Sequence, residues 1–275
     1  MRQQKIDLHS YTSIGIGPKV DVLLPESEED LFSFSEQKII GNGTNLLIDE
    51  NFNSNLICMN HLDSLEINEN LIYAESGVLL SRLIGTCIRK GLNGLSSLAG
   101  IPGSIGGLIY MNAGNIGKNS SLKKIRCFTK EKGVYDIDVP REKFSYRKSP
   151  FSDDVIIVGA FFEMKKSYGE RVFEDVKKAI LNKKQTQPIF EKSFGSVFKN
   201  PESVSAWKLI ERCGLKGKEK GDAMISRKHC NFIVNRGNAS FSDVMYLIEL
   251  CMEKVYNEFS IMLEKEVVVL RGLNR

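Results

Sequence analysis

Between Val78 and Lys90 the apolar residues Leu79, Leu80, Leu83, Ile84, Cys87 and Ile88 recur at three- and four-residue intervals. That period predicts an amphipathic helix, and Gly91 supplies its stop. A second stripe, Val244, Leu247, Ile248, Cys251 and Val255, follows the helix-start signal Ser242-Asp243 and reads as core rather than as a ligand site. Glu170 to Lys184 reads as a third helix, leading into Thr186-Gln187-Pro188. Alternating residues predict a hairpin over Leu65 to Glu75, turning at Asn68-Glu69-Asn70. The apolar run from Asp154 to Met164 reads as a long buried strand, with further strands at Cys230 to Asn235 and Glu266 to Leu270. Strand-like and helix-like segments alternate irregularly, which predicts an α+β fold rather than a regular βαβ array. No internal repeat or low-complexity tract interrupts them. A boundary is expected near residues 160–170, unmarked by any flexible linker.

Length adds room for two or three domains: 275 residues bury a sizeable core. No apolar run approaches the ~18 residues of a membrane span, and the first residues carry no secretory apolar stretch, so a cytoplasmic protein is expected. The six cysteines are never closer than the 17 positions between Cys213 and Cys230. No C-x-x-C zinc or redox pair exists, and with three histidines a histidine-rich metal site is not expected. Reduced, mostly buried thiols fit that context.

Charge is unevenly placed. Residues 1–150 carry 17 side chains of each sign, whereas residues 151–275 carry 21 basic against 17 acidic. Lys183 to Lys228 alone holds 11 basic and 5 acidic residues. This excess reads either as a solvated face or as attraction for a small phosphate-bearing ligand. Nucleic acid is a weaker reading, because no basic run has interleaved aromatics.

Five segments carry candidate chemistry. In Ile39 to Asp49, Gly41-Asn42-Gly43-Thr44-Asn45 can turn successive N–H groups toward one anion, or can be simply a tight turn. It is neither a P-loop nor G-x-G-x-x-G. Leu98 to Gly117 holds six glycines in twenty residues, with Pro102 stiffening the entry and Ser104 able to donate to a phosphate. Gly103, Gly106 and Gly107 remove side chains where a backbone presses on a ligand, or on another backbone. Tyr146-Arg147-Lys148 sets a phenol beside two cations, and an arginine holds a carboxylate bidentately. Ser196 stands in Phe194 to Pro201, outside any G-x-S-x-G elbow, and alone reads as structural. Glu266 stands at the mouth of Val267-Val268-Val269, where desolvation raises a carboxyl pKa, though alone it reads better as a plain strand-end charge.

In this order, the five segments resemble the UDP-N-acetylenolpyruvoylglucosamine reductase family, flavoenzymes of bacterial peptidoglycan precursor synthesis. The resemblance extends from Thr12-Ser13-Ile14-Gly15-Ile16-Gly17 to Glu266, and includes Ala206 to Gly217 and Gly221 to Asn235. It implies an FAD-binding domain of the vanillyl-alcohol oxidase and p-cresol methylhydroxylase type over residues 1–165, with two α+β subdomains near 1–55 and 56–165. Residues 166–275 would form an α+β substrate-binding domain closing over the substrate. The resemblance assigns FAD contact to Gly41, Asn42, Gly43, Thr44, Asn45 and Leu46, to Ile101, Pro102, Gly103, Ser104, Gly106 and Gly107, and to Asn112, Ala113 and Gly114. Arg147, Ser196 and Glu266 match the family's catalytic trio, and Tyr146, Lys199 and Asn200 are candidate substrate contacts. Lys208 and Lys216 join Lys199 as candidates for the diphosphate.

The chain departs from the family pattern at Asn42 and Thr44, where glycine and serine are commoner. Only 49 positions separate Arg147 from Ser196, which resembles the shorter variant without an inserted lid. Neither glycine-rich loop holds a His or Cys, and Tyr110 is the one nearby nucleophile, so FAD is expected to be non-covalent. By resemblance, NADPH reduces the flavin, flavin N5 delivers hydride to an enol ether conjugated to a carboxylate, Arg147 and Glu266 hold that carboxylate, and Ser196 delivers the proton. A monomer acting on a UDP-sugar, with no nucleic acid or membrane partner, is expected. The alternatives are an alcohol or lactone oxidase on the same fold, or a non-enzymatic nucleotide-binding module.

Overall fold

The structure, a computed structural model, describes residues 1–34 and 38–272. Two compact units divide the chain, each assembled from separate stretches. Unit 1 comprises Met1–Gln4, Val22–Asn42 and Asn55–Asn182, and unit 2 comprises Lys5–Asp21, Gly43–Ser54 and Lys183–Arg275.

Unit 1 is built on a five-stranded antiparallel sheet in the order Gly133–Asp138, Leu122–Thr129, Ile156–Glu163, Leu71–Glu75, Leu65–Asn68. Alternation along a strand sends successive side chains to opposite faces. Ile72, Ala74, Ile125, Cys127, Ala160 and Phe162 therefore share one face, buried with Leu83, Ile84, Ile105 and Leu108 of two helices, Leu80–Lys90 and Ile105–Tyr110. Phe128, Ile156 and Val158 pack on the other side with Leu31, Phe34, Ile57 and Met59. The central strand is apolar from Ile156 to Phe162 because both its faces are covered. The hairpin turns on two residues rather than three: Asn68 pairs with Leu71, and Glu69 takes a φ of +52°. Helix Leu80–Lys90 ends at Gly91, whose φ of +63° is the left-handed stop that glycine supplies. Leu83 is fully buried there, a contribution of about 1.5–3 kcal/mol. A short parallel sheet pairs Lys38–Ile40 with Leu56–Cys58, which also pairs with Val22 and Leu23.

Unit 2 packs helix Phe241–Phe259 on a three-stranded sheet, Glu219–Lys220, Ala223–Ile225 and Ile233–Asn235. The stripe Val244, Leu247, Ile248, Cys251 and Val255 is buried against Ala223, Ile225 and Ile233. The helix begins earlier than Ser242: Ser240 Oγ accepts from Asp243 N at 3.1 Å while the Asp243 carboxylate accepts from Ser240 N at 3.0 Å, a capping box. The expected strand from Cys230 narrows to Ile233–Asn235, because Phe232 N donates to His229 O and turns the chain. The strand expected from Glu266 begins at Val268 and runs parallel to Leu46–Ile48. Both units mix helices with mainly antiparallel strands, as the α+β expectation required.

Candidate active site

In unit 1 the second glycine-rich segment lies along residues 76–80. Leu80 N donates to Gly103 O (3.0 Å), Ile105 N to Val78 O (2.9 Å) and Gly106 N to Ser76 O (2.9 Å). Gly106 permits this approach, since a Cβ there would stand 2.8 Å from Ser76 Cβ. Ser104 is 1% exposed, and its Oγ and the buried Ser76 Oγ have no hydrogen-bond partner among the described residues. Burying a hydroxyl without a partner costs about 1–3 kcal/mol, so such groups point to something that completes them. A Cβ on Gly41 would come 2.9 Å from Ser104 Oγ and 3.8 Å from Gly107 Cα. Gly41, Gly106 and Gly107 thus leave bare backbone around two orphaned hydroxyls. A donor hydroxyl in a glycine cradle suits a phosphate, and these residues fit the pyrophosphate of FAD. Pro102 and Ile101 enter this cradle ahead of Gly103, whose φ is +130°.

Asn112 and Gly114 are left-handed, with φ of 44° and 60°. Asn112 is 1% exposed; its Nδ2 donates to Ser145 O at 2.6 Å and its Oδ1 accepts from Gly117 N at 3.0 Å. Its amide ties down the Arg147 turn. Gly114 is required by packing: a Cβ would fall 2.5 Å from Ile101 Cδ1 and 2.6 Å from Leu98 Cδ2. Ala113 lies between these two, half-buried. Ser145 and Lys148 close a two-residue turn by reciprocal bonds of 3.0 and 3.1 Å, with Tyr146 and Arg147 at its tip. Arg147 holds a φ of +56°, strained for a residue with a side chain, and its guanidinium lies 5.3 Å from the Tyr146 ring centre. Tyr110 OH donates to Asp153 at 2.7 Å, and that bond, then burial, pushes its phenol up to about 12.

Unit 2 holds the rest of the first glycine loop. Gly43 has a φ of +65°, and a Cβ would stand 3.0 Å from Tyr11 O. Thr44 is half-buried beside it, and Leu46 opens the strand that follows. Asn45 Nδ2 donates to Glu266 O at 3.0 Å, and Val268 N to Asn45 O at 3.1 Å. Ser196 and Glu266, 70 positions apart, both adjoin Val197, the first by sequence and the second by a backbone hydrogen bond. Val197 N donates to Asn231 O (2.9 Å), while Val197 O accepts from Glu266 N (2.8 Å) and Val267 N (3.4 Å). That double acceptance is why the final strand starts only at Val268. Lys199 pairs with Glu264, and Asn200 Oδ1 accepts from Ala206 N at 3.0 Å, holding the first turn of helix Ala206–Arg212. Arg147 belongs to unit 1, Ser196 and Glu266 to unit 2.

Sequence reasoning missed Asn231 and Asn235. Asn231 is clamped to Phe198, and Asn235 Nδ2 donates to Ile14 O at 3.0 Å while its Oδ1 accepts from Gly237 N and Ala239 N. Two amides four positions apart inside an apolar run were the available clue. The His229 ring lies 4.9 Å from that of Phe232, and burial lowers its pKa. No helix among the described residues is long and apolar enough to cross a membrane, and none of their His, Cys, Asp or Glu side chains group to hold a metal.

Comparison with known proteins places this geometry among relatives. An FAD binding domain family matches residues 36–130, and the UDP-N-acetylenolpyruvoylglucosamine reductase C-terminal domain family matches residues 187–270. The UDP-N-acetylenolpyruvoylglucosamine reductase of Carboxydothermus hydrogenoformans is 37% identical over 277 residues, covering 96% of this chain and 92% of that protein. That of Fusobacterium nucleatum is 33% identical, covering 96% of this chain and 98% of its own. The crystal structure of the Thermus caldophilus UDP-N-acetylenolpyruvylglucosamine reductase matches with a TM-score of 0.84 at 32% identity, over 98% of this chain and 99% of that one.

Proposed function

The chain belongs to the UDP-N-acetylenolpyruvoylglucosamine reductase family of FAD-dependent oxidoreductases, and from that premise we propose that it reduces the enolpyruvyl ether of UDP-N-acetylglucosamine to UDP-N-acetylmuramate with NADPH. When bound, FAD supplies two-electron transfer from NADPH to the substrate double bond. The protein's own residues do the rest. Gly41, Ser104, Gly106 and Gly107 would hold the cofactor pyrophosphate. Arg147 would oppose the negative charge that builds on the substrate carboxylate, which is stabilisation of the oxyanion-hole kind. Glu266 would sit against the same carboxylate as a hydrogen-bond donor, which requires its own carboxyl to be protonated. Ser196 would give its proton to the carbon next to that carboxylate, a step a weak acid performs only at contact distance from a strongly basic centre.

The observation that carries this reading is the bond from Glu266 N to Val197 O, which brings the backbone of Glu266 beside the residue next to Ser196 despite their separation in sequence. Further support is the phenol of Tyr110: hydrogen-bonded and protonated up to about pH 12, it is a poor nucleophile, consistent with non-covalent FAD. Tyr146, Lys199 and Asn200 remain candidates for substrate contact, with Lys208 and Lys216 for the diphosphate.

An anaerobic visible spectrum tests the reading. NADPH should bleach the flavin absorbance, and the UDP-sugar enolpyruvyl ether should restore it without oxygen. Recovery with oxygen alone would point to an oxidase. Ser196→Ala should slow recovery with substrate ~10²–10⁴-fold, the usual contribution of a positioned proton donor.

A further inference from the structure

We propose that Asn231 is a positioning residue for proton delivery: its side-chain amide fixes the backbone that carries Ser196. The inference rests on the assignment of Ser196 as proton donor. Asn231 is 3% exposed and spends both ends of its amide on one residue. Its Oδ1 accepts from Phe198 N at 2.9 Å, and its Nδ2 donates to Phe198 O at 2.8 Å. Its own carbonyl accepts from Val197 N at 2.9 Å. Three hydrogen bonds with one residue therefore grip the two residues that follow Ser196, and Ser196 itself bridges Phe232, the next residue along.

The choice of an amide has a physical reason. A residue in an extended chain points its N–H and C=O to the same side, toward a neighbouring strand. At Phe198 that neighbour is one side chain with the same donor and acceptor as a peptide. The main chain is then free to turn at His229, where Phe232 N donates to His229 O. Val197 and Phe198 are each 1% exposed in the core of unit 2, so the gripped segment cannot roll. On its far edge Val197 O receives Glu266 N. Asn231 thus sets where Ser196 stands relative to Glu266.

Asn231→Asp keeps the acceptor for Phe198 N and removes the donor to Phe198 O. Asn231→Leu removes both and keeps the branched shape. The two half-reactions of the flavin-loaded enzyme are followed separately, and backbone exchange at Phe198 is followed in flavin-free protein. We expect both variants to lose protection at Phe198. Reoxidation by substrate should slow ~10²-fold, within the range for a misplaced proton donor, and its solvent isotope effect should grow. Bleaching by NADPH should stay within about twofold, and in the Ser196→Ala background either Asn231 substitution should cost less than about twofold, because coupled residues are non-additive.

Losses that multiply in the double variant, or reoxidation at the parent rate in either folded variant, would overturn the inference. So would failure of both variants to unfold cooperatively, since Asn231 would then serve the fold alone. Ser196→Ala reoxidised at the parent rate would instead sink the serine assignment itself.

Discussion

Gly106 and Gly107 are neighbours, yet a methyl group would affect them differently. At Gly106 it would meet Ser76 Cβ at 2.8 Å and Ser76 O at 3.3 Å, whereas at Gly107 the nearest atom, Ser104 Oγ, is 3.7 Å away. Gly106→Ala should therefore destabilise the flavin-free protein by ~1–3 kcal/mol, as overpacking does. Gly107→Ala should leave flavin-free stability within ~0.5 kcal/mol, the range of substitutions that strain nothing. It should weaken FAD at least ~10-fold, or ~1.4 kcal/mol, if the cradle holds the pyrophosphate. Thermal melts without flavin and a fluorescence titration with FAD separate the two. Asn112 offers a similar dissection. Asn112→Ala strands the buried N–H of Gly117, costing ~1–3 kcal/mol, and places alanine in a left-handed conformation at a further ~1–2 kcal/mol. Asn112→Gly relieves only the second cost. Melting temperatures should fall in the order parent, Asn112→Gly, Asn112→Ala, and equal values for the two variants would refute the backbone part.

Helix Phe241–Phe259 depends on its capping box, and Ser240→Ala should cost about 1 kcal/mol, read as a lower urea midpoint at unchanged slope. The turn at His229 adds a pH dependence. Burial holds its imidazole below the ordinary 6.5, so the unfolded chain takes up a proton that the folded chain resists. Its contribution to stability is present above pH 6.5 and is lost on acidification below it. Urea midpoints at about pH 7.5 and about pH 5.5 should differ less in His229→Gln than in the parent. Helices Leu80–Lys90 and Phe241–Phe259 were legible because a buried stripe repeats with the helical period. The junction of Ser196, Asn231 and Glu266 was not. It is held by single bridges and side-chain amides, which leave no period, and its ties reach as far as Asn45 to Glu266, 221 positions apart. The Arg147 turn was equally hidden, since its positive φ falls on a residue that gives no hint of it.

Across the whole molecule, five cysteines are buried and only Cys213 is partly accessible. Burial pushes Cys87 up to about 11 and Cys127 and Cys251 up to about 12. A thiol reagent should find at most Cys213 in the native protein and all six cysteines after denaturation. Fold class and family were legible at this scale because the motifs keep their order along the chain. The interleaving of the units was not, because the chain changes unit without any change in composition. One consequence concerns synthesis. Leu46–Ile48 pairs in parallel with Val268–Leu270. On the ribosome the earlier strand emerges with Leu47 and Ile48 uncovered, and its partner follows only after residue 267 has been translated. Translation stalled short of that point should release a chain whose unit 2 is protease-sensitive and a substrate for chaperones, however long unit 1 has been complete.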